Sequence, residues 1–152
     1  MLQSELDAHI ENEHPRKENR HSEKVLALLV ELGELANETR CFKFWSNKPA
    51  SKKEIILEEY VDGVHFLLSL GLENSIEELS IKPIKKDTLT EQFIGLYNAF
   101  ILLQIQFTSK TYSYAWSAYM GLGEMLGMSW DEIETAYLVK NEKNHDRQES
   151  GY

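Results

Sequence analysis

Residues 25–36 and 55–70 constrain the fold more than any other feature of this chain, because each is a nearly continuous apolar run broken mainly by acidic side chains. Apolar spacing of this length reads as a helix that is apolar almost all round, and such a helix is buried almost all round. In the first run only Glu31 and Glu34 interrupt apolar or small residues, and in the second Glu59 and Asp62 repeat the pattern. Each couple stands at i, i+3 and so shares one helical face, about one turn apart. A carboxylate buried without a partner is costly, and its pKa rises or a cation joins it.

The rest of the chain supports the same class. Eight glycines and three prolines in 152 residues leave little turn material, and the apolar spacing is helical almost throughout. A short helix is expected from Gln3 to about Glu13, interrupted by His14-Pro15-Arg16-Lys17. The next is expected from a Ser22 N-cap to about Arg40, followed by an aromatic loop from Phe42 to Pro49. Ser51 is expected to cap a third helix ending near Leu70-Gly71, with glycine as the stop. Residues 73–87 allow one short helix before Lys82-Pro83. Further helices are expected from Thr90, from about Tyr112 to Leu126, and from a Ser129 cap to about Gln148, with Asp131 and Glu132 in the first turn of the last. The expectation is an all-α bundle of about six helices, forming one domain over 1–152.

Bulk properties limit the function. A net charge of −9 argues against a general nucleic-acid binder, although metals and a few placed cations still admit a phosphate-bearing small molecule. No apolar run approaches the roughly 18 residues of a membrane span, no signal-peptide pattern opens the chain, and the single Cys41 excludes an intramolecular disulfide, so a cytoplasmic setting is expected.

The linker between the two acidic helices is short enough to make them antiparallel, so the couples converge. Four carboxylates in one small volume call for hard divalent cations with oxygen ligands, Mg²⁺ first and Mn²⁺ second. No His or Cys has zinc spacing. The competing reading is a solvated acidic stripe paired with Lys or Arg. It is preferred for Glu38, Glu54 and Glu58, while Glu31, Glu34, Glu59 and Asp62 have few basic neighbours at i±3 or i±4.

Glu31-Leu-Gly-Glu34, Phe42-Lys-Phe-Trp45, the run Glu58 to Ser69 and the C-terminal run Tyr137 to Tyr152 together resemble the dimeric, all-α dUTPase family. That family belongs to the MazG-like nucleoside triphosphate pyrophosphohydrolases. The resemblance, which also takes in Leu2 to Asp7, implies that Glu31, Glu34, Glu59 and Asp62 hold Mg²⁺ against a triphosphate. It implies that Lys140, Asn144 and Arg147 bind the phosphates, and their i, i+4, i+7 spacing does place them along one helical face. Phe42, Lys43 and Trp45 would wall the nucleoside, with Phe66 under the base. Gln3 would read the uracil edge, and Asp7 stands where many relatives have Asn. His65 matches the family and receives no role.

The reaction so implied is dUTP plus water giving dUMP and pyrophosphate, with dUDP as a second substrate, by a homodimer. Glu31 and Glu34 are the catalytic candidates, with Glu31 favoured to position or deprotonate the water; the residues do not choose between attack at the α- and β-phosphorus, and the resemblance suggests β. Two other readings compete. One is a MazG-like enzyme for dCTP or a non-standard nucleotide. The other is a non-catalytic helical dimer using Tyr112, Tyr114, Trp116 and Tyr119 as its partner face.

Overall fold

A computed structural model describes residues 2–13 and 20–151. These form six helices and no strand: α1 (Leu2–Glu13), α2 (His21–Thr39), α3 (Lys53–Glu73), α4 (Leu89–Ile105), α5 (Ser109–Met125) and α6 (Trp130–Glu149). The all-α expectation is met. The interruption at His14-Pro15-Arg16-Lys17 and the terminal Tyr152 lie outside the described residues.

The two apolar runs form the central pair, α2 against α3. Lys24 near the start of α2 pairs with Glu73 at the end of α3 at 2.8 Å, and Ser51 just before α3 bonds Glu38 near the end of α2. The pair is therefore antiparallel. The α4–α5 hairpin covers one side of it, with α4 on α2, and α6 covers α3; α1 lies across α3 and α6. Leu28, Leu32, Leu35, Tyr60, Leu67, Leu96, Phe100, Tyr119 and Leu122 fill the core between them.

Tyrosines set how closely the central helices approach. Tyr119 donates to the Tyr60 carbonyl at 2.5 Å and Tyr60 donates to the Tyr119 carbonyl at 2.7 Å, with the two rings stacked 4.3 Å apart. Tyr112 donates to the Leu67 carbonyl. Each hydroxyl reaches a helical carbonyl across a glycine: a Cβ at Gly63 would sit 2.2 Å from the Tyr119 hydroxyl, at Gly123 2.7 Å from that of Tyr60, and at Gly71 2.3 Å from that of Tyr112. Gly71 therefore does not end α3, as expected from sequence; it makes room for Tyr112 inside a helix that continues to Glu73.

Other boundaries differ for similar reasons. Ser22 does not cap α2, which begins at His21 after Arg20; its hydroxyl accepts from Gln104 on α4 instead. Ser51 does not cap α3, because its hydroxyl and backbone N–H both go to Glu38. No helix forms at 74–87. That strap is tied to its neighbours instead, with Lys82 N–H donating to Ser117 Oγ at 3.0 Å and Gln92 Nε2 to the Ile84 carbonyl at 2.8 Å. α5 begins at Ser109 rather than near Tyr112, after a Thr108–Thr111 capping box. Ser129 does cap α6, reciprocally with Glu132.

The proposed aromatic partner face is overturned. Tyr112, Trp116 and Tyr119 are buried in the core, and of the four only Tyr114 is exposed. Among the described residues no helix is long and apolar enough to cross a membrane.

Candidate active site

The antiparallel register brings the acidic couples of α2 and α3 together. One carboxylate oxygen from each of Glu31, Glu34 and Glu59 lies within 4.8 Å of the others. Asp62 stands beside this trio, its Oδ1 held 3.1 Å from Lys140 Nζ. The sequence offered Asp62 no basic neighbour on its own helix; α6 supplies one. Lys140 Nζ also lies 3.0 Å from Glu58, which Lys143 approaches at 3.4 Å, so the ion-pair reading of Glu58 is met. Glu38 meets the Ser51 hydroxyl rather than a cation, and Glu54 is exposed.

Oxygens Oε2 of Glu31 and of Glu59 are buried without a hydrogen-bond partner among the described residues. Burial pushes the Glu31 carboxyl up to about 8, with Asp62, Glu34 and Glu59 adding to it. Burial likewise pushes Glu59 up to about 7, with Asp62 and Glu34 adding to it against Lys140. Burial also raises Asp62, despite the Lys140 charge beside it. Burial opposes the ammonium of Lys140, yet Asp62 and Glu58 outweigh that effect and hold its pKa above the ordinary value. Clustered hard oxygens, two of them buried with nothing to bond, are a donor set that fits a divalent cation.

Glu31 and Asp62 open onto a cavity of about 510 Å³ that Lys140, Asn144 and Arg147 also line. Along α3 the lining continues one turn beyond Asp62 with His65 and Phe66 and two turns beyond with Ser69, while α1 contributes Gln3 and Asp7. One cavity thus runs from carboxylates faced by cations to an end where side chains of α1 and α3 are hydrogen-bonded to one another. At that end Gln3 Nε2 donates to Asp7 Oδ1 at 2.8 Å and Ser69 donates to Asp7 Oδ2 at 2.8 Å. Gln3 Oε1 accepts from Tyr137 at 2.9 Å and meets His65 Nδ1 at 2.7 Å.

The structure does not bring the aromatic loop to this cavity. Phe42 and Trp45 are exposed at 40% and 65% and meet edge to face, 6.1 Å between ring centroids and inclined at 66°, and Lys43 Nζ lies 5.7 Å from the Phe42 centroid. Sequence reasoning gave His65 no role and did not single out Ser69 or Tyr137. The signal for the first two was available, since they follow Asp62 at i+3 and i+7 on its own face; Tyr137 depends on how α6 lies across α3.

A family model described as dUTPase matches residues 1–152, the whole chain, and none of the curated proteins matches it. The match agrees with what was built from the residues: helices only, and an anionic cluster confronted by cations across one cavity. By that full-length match the chain belongs to the all-α dUTPase family, and its function is that of a dUTP diphosphatase, which converts dUTP to dUMP and pyrophosphate.

Proposed function

We propose that the reaction runs in the 510 Å³ cavity with Mg²⁺, or Mn²⁺ in its place, held by Glu31, Glu34, Glu59 and Asp62. The observation that carries this is the pair of buried oxygens on Glu31 and Glu59 that lack a hydrogen-bond partner among the described residues, in a carboxylate cluster spanning two helices. A divalent cation held there would neutralise charge on the phosphate chain and acidify water.

The chain's own groups do the rest. Lys140, Asn144 and Arg147 line the cavity beside Asp62 and bind the triphosphate, Lys as a point charge and Arg as a planar fork. Asp62 and Glu58 hold the Lys140 ammonium charged and in place before substrate arrives, so little reorganisation is needed when charge builds on the phosphoryl oxygens. Burial and its acidic neighbours push the Glu31 carboxyl up to about 8, and cationic charge held in the cluster would lower it towards the range of a base at neutral pH. Attack at the β-phosphorus follows from the family resemblance.

Gln3, Asp7 and Phe66 line the hydrogen-bonded end, where the base is expected, with dUDP as a second substrate. Phe42, Lys43 and Trp45 belong to this reading only as a wall that moves or that comes from a second copy. A homodimer is supported by the antiparallel α2–α4 pair, which leaves Leu26, Val30, Ile94, Ile101 and Ile105 exposed. The free thiol of Cys41 accords with a cytoplasmic location.

The test is a nucleotide panel in Mg²⁺ with identification of products, on the native protein and on Glu34→Gln and Asp62→Asn. Both variants are expected to stay helical by circular dichroism and to lose turnover of dUTP. Full activity in either would refute the ligand set, and preference for dCTP or a modified nucleotide would reassign the base.

A further inference from the structure

We propose that His65 reads the N3–H of the pyrimidine, accepting it at an Nε2 lone pair that Asp7 and Gln3 lock into place. The proposal rests on the reading of this cavity as the nucleotide site and goes beyond it by naming the atom that selects the base.

The locking follows from which groups can donate. Both Asp7 oxygens are acceptors, so the Gln3 atom 2.8 Å from Oδ1 has to be the amide nitrogen, while the Ser69 hydroxyl fixes Oδ2 from the other side. With its nitrogen committed, Gln3 turns its oxygen to Tyr137 at 2.9 Å and to His65 Nδ1 at 2.7 Å. An amide oxygen cannot donate, so Nδ1 carries the proton in that contact. The imidazole is 5% exposed, and burial, with the Lys140 charge adding to it, pulls its pKa down to about 4. A neutral ring protonated at Nδ1 has its lone pair at Nε2.

That Nε2 is buried and has no hydrogen-bond partner among the described residues, and His65 lines the cavity. Stacking on Tyr137, 4.4 Å between centroids at 27°, keeps the ring from turning away. An acceptor fixed in the wall of this cavity can receive an N–H. Uracil presents one at N3, whereas cytosine presents a lone pair there, so the same contact becomes repulsive. Gln3 and Asp7 are then positioning residues: the Gln3 oxygen accepts from Tyr137 and His65, each Asp7 oxygen accepts one bond from within the protein, and His65 Nε2 is the buried atom that none of these bonds engages.

The test compares kcat/KM for dUTP, dCTP and N3-methyl-dUTP in the native protein, His65→Ala and His65→Gln. An unmet buried polar group opposite the wrong base implies that His65→Ala narrows the preference for dUTP over both others by about 10- to 100-fold, and that Gln, whose amide oxygen can accept, restores part of it. A native protein that turns over dUTP, with its preference intact in His65→Ala, overturns the proposal while leaving the site reading standing. A native protein that processes no nucleotide in this cavity overturns the site reading first.

A second measurement uses the native protein alone. Two-bond ¹H–¹⁵N spectra of the ¹⁵N-labelled native protein report which ring nitrogen is protonated. The expected result is Nδ1–H in the free protein and an Nε2 resonance that moves on binding a non-hydrolysable dUTP analogue. A ring protonated at Nε2 in the free protein, or an Nε2 resonance that the bound analogue leaves unmoved, overturns it.

Discussion

Replacing Glu31 by Gln removes one negative charge from the carboxylate cluster while keeping the shape of the side chain, and its effect on stability should reverse sign with metal. The native Glu31 carboxyl titrates at about 8 instead of 4.5, so the folded chain holds this proton more tightly than the unfolded one. Stability from this group is therefore fully present below 4.5 and is lost as pH rises towards 8. The interval from 4.5 to about 8 corresponds to about 5 kcal/mol at full strength, and screening by water at a half-buried group brings it to about 2 kcal/mol. Urea or thermal unfolding followed by circular dichroism, with a chelator present, measures it. At pH 5 the variant and native protein should agree within about 0.5 kcal/mol, and at pH 9 the variant should be more stable by about 2 kcal/mol, or about 4–8 °C in Tm for a chain of this size. With millimolar Mg²⁺ the order should invert, because the native protein gains a ligand that the variant binds poorly. A variant less stable than the native protein at pH 9 in chelator would refute the argument that this carboxylate is held under electrostatic strain.

Two further substitutions probe other parts of the design. Lys140→Met removes the ammonium that bridges Asp62 and Glu58, leaving their charges uncompensated; without metal it should cost about 2 kcal/mol at pH 8. In Mg²⁺ it should lower kcat/KM for dUTP by about 100-fold or more, since a charge-assisted phosphate contact is lost, and a native-like kcat/KM would remove Lys140 from the phosphate site. Gly121→Ala tests how α5 seats the 74–87 strap. Its Cβ would lie 1.9 Å from the Ile84 carbonyl oxygen, so backbone must shift, and overpacking of about 2–3 kcal/mol is expected in the melting curve. An unchanged Tm would show that the strap gives way freely.

What was legible in the sequence was mostly local. The helical periodicity of 25–36 and 55–70, the i, i+3 carboxylate couples and the Ser129 cap each depend on residues within about one turn of one another. The missed boundaries had partners elsewhere in the chain. Ser22 and Ser51 look like caps because their residue type favours that role, yet Gln104 and Glu38 take them. Gly71 looks like a stop until the Tyr112 hydroxyl is seen occupying the space of its missing side chain. Tyr112, Trp116 and Tyr119 look like a partner surface because aromatic composition does not say which way a side chain faces.

The sequence by itself determined that the chain is helical, that four acidic residues sit where apolar ones belong, and that three polar residues share a face of the last helix. Helix periodicity is a short-range code, and it survives whatever the helices later touch. Only the tertiary structure decided that Lys140 lies against Asp62, that Glu31 and Glu59 keep buried oxygens without partners, and that Ser69, Asp7, Gln3 and His65 form one directed chain of hydrogen bonds. Those relations join α1, α2, α3 and α6, so they depend on how these helices pack against one another and not on spacing along any one of them.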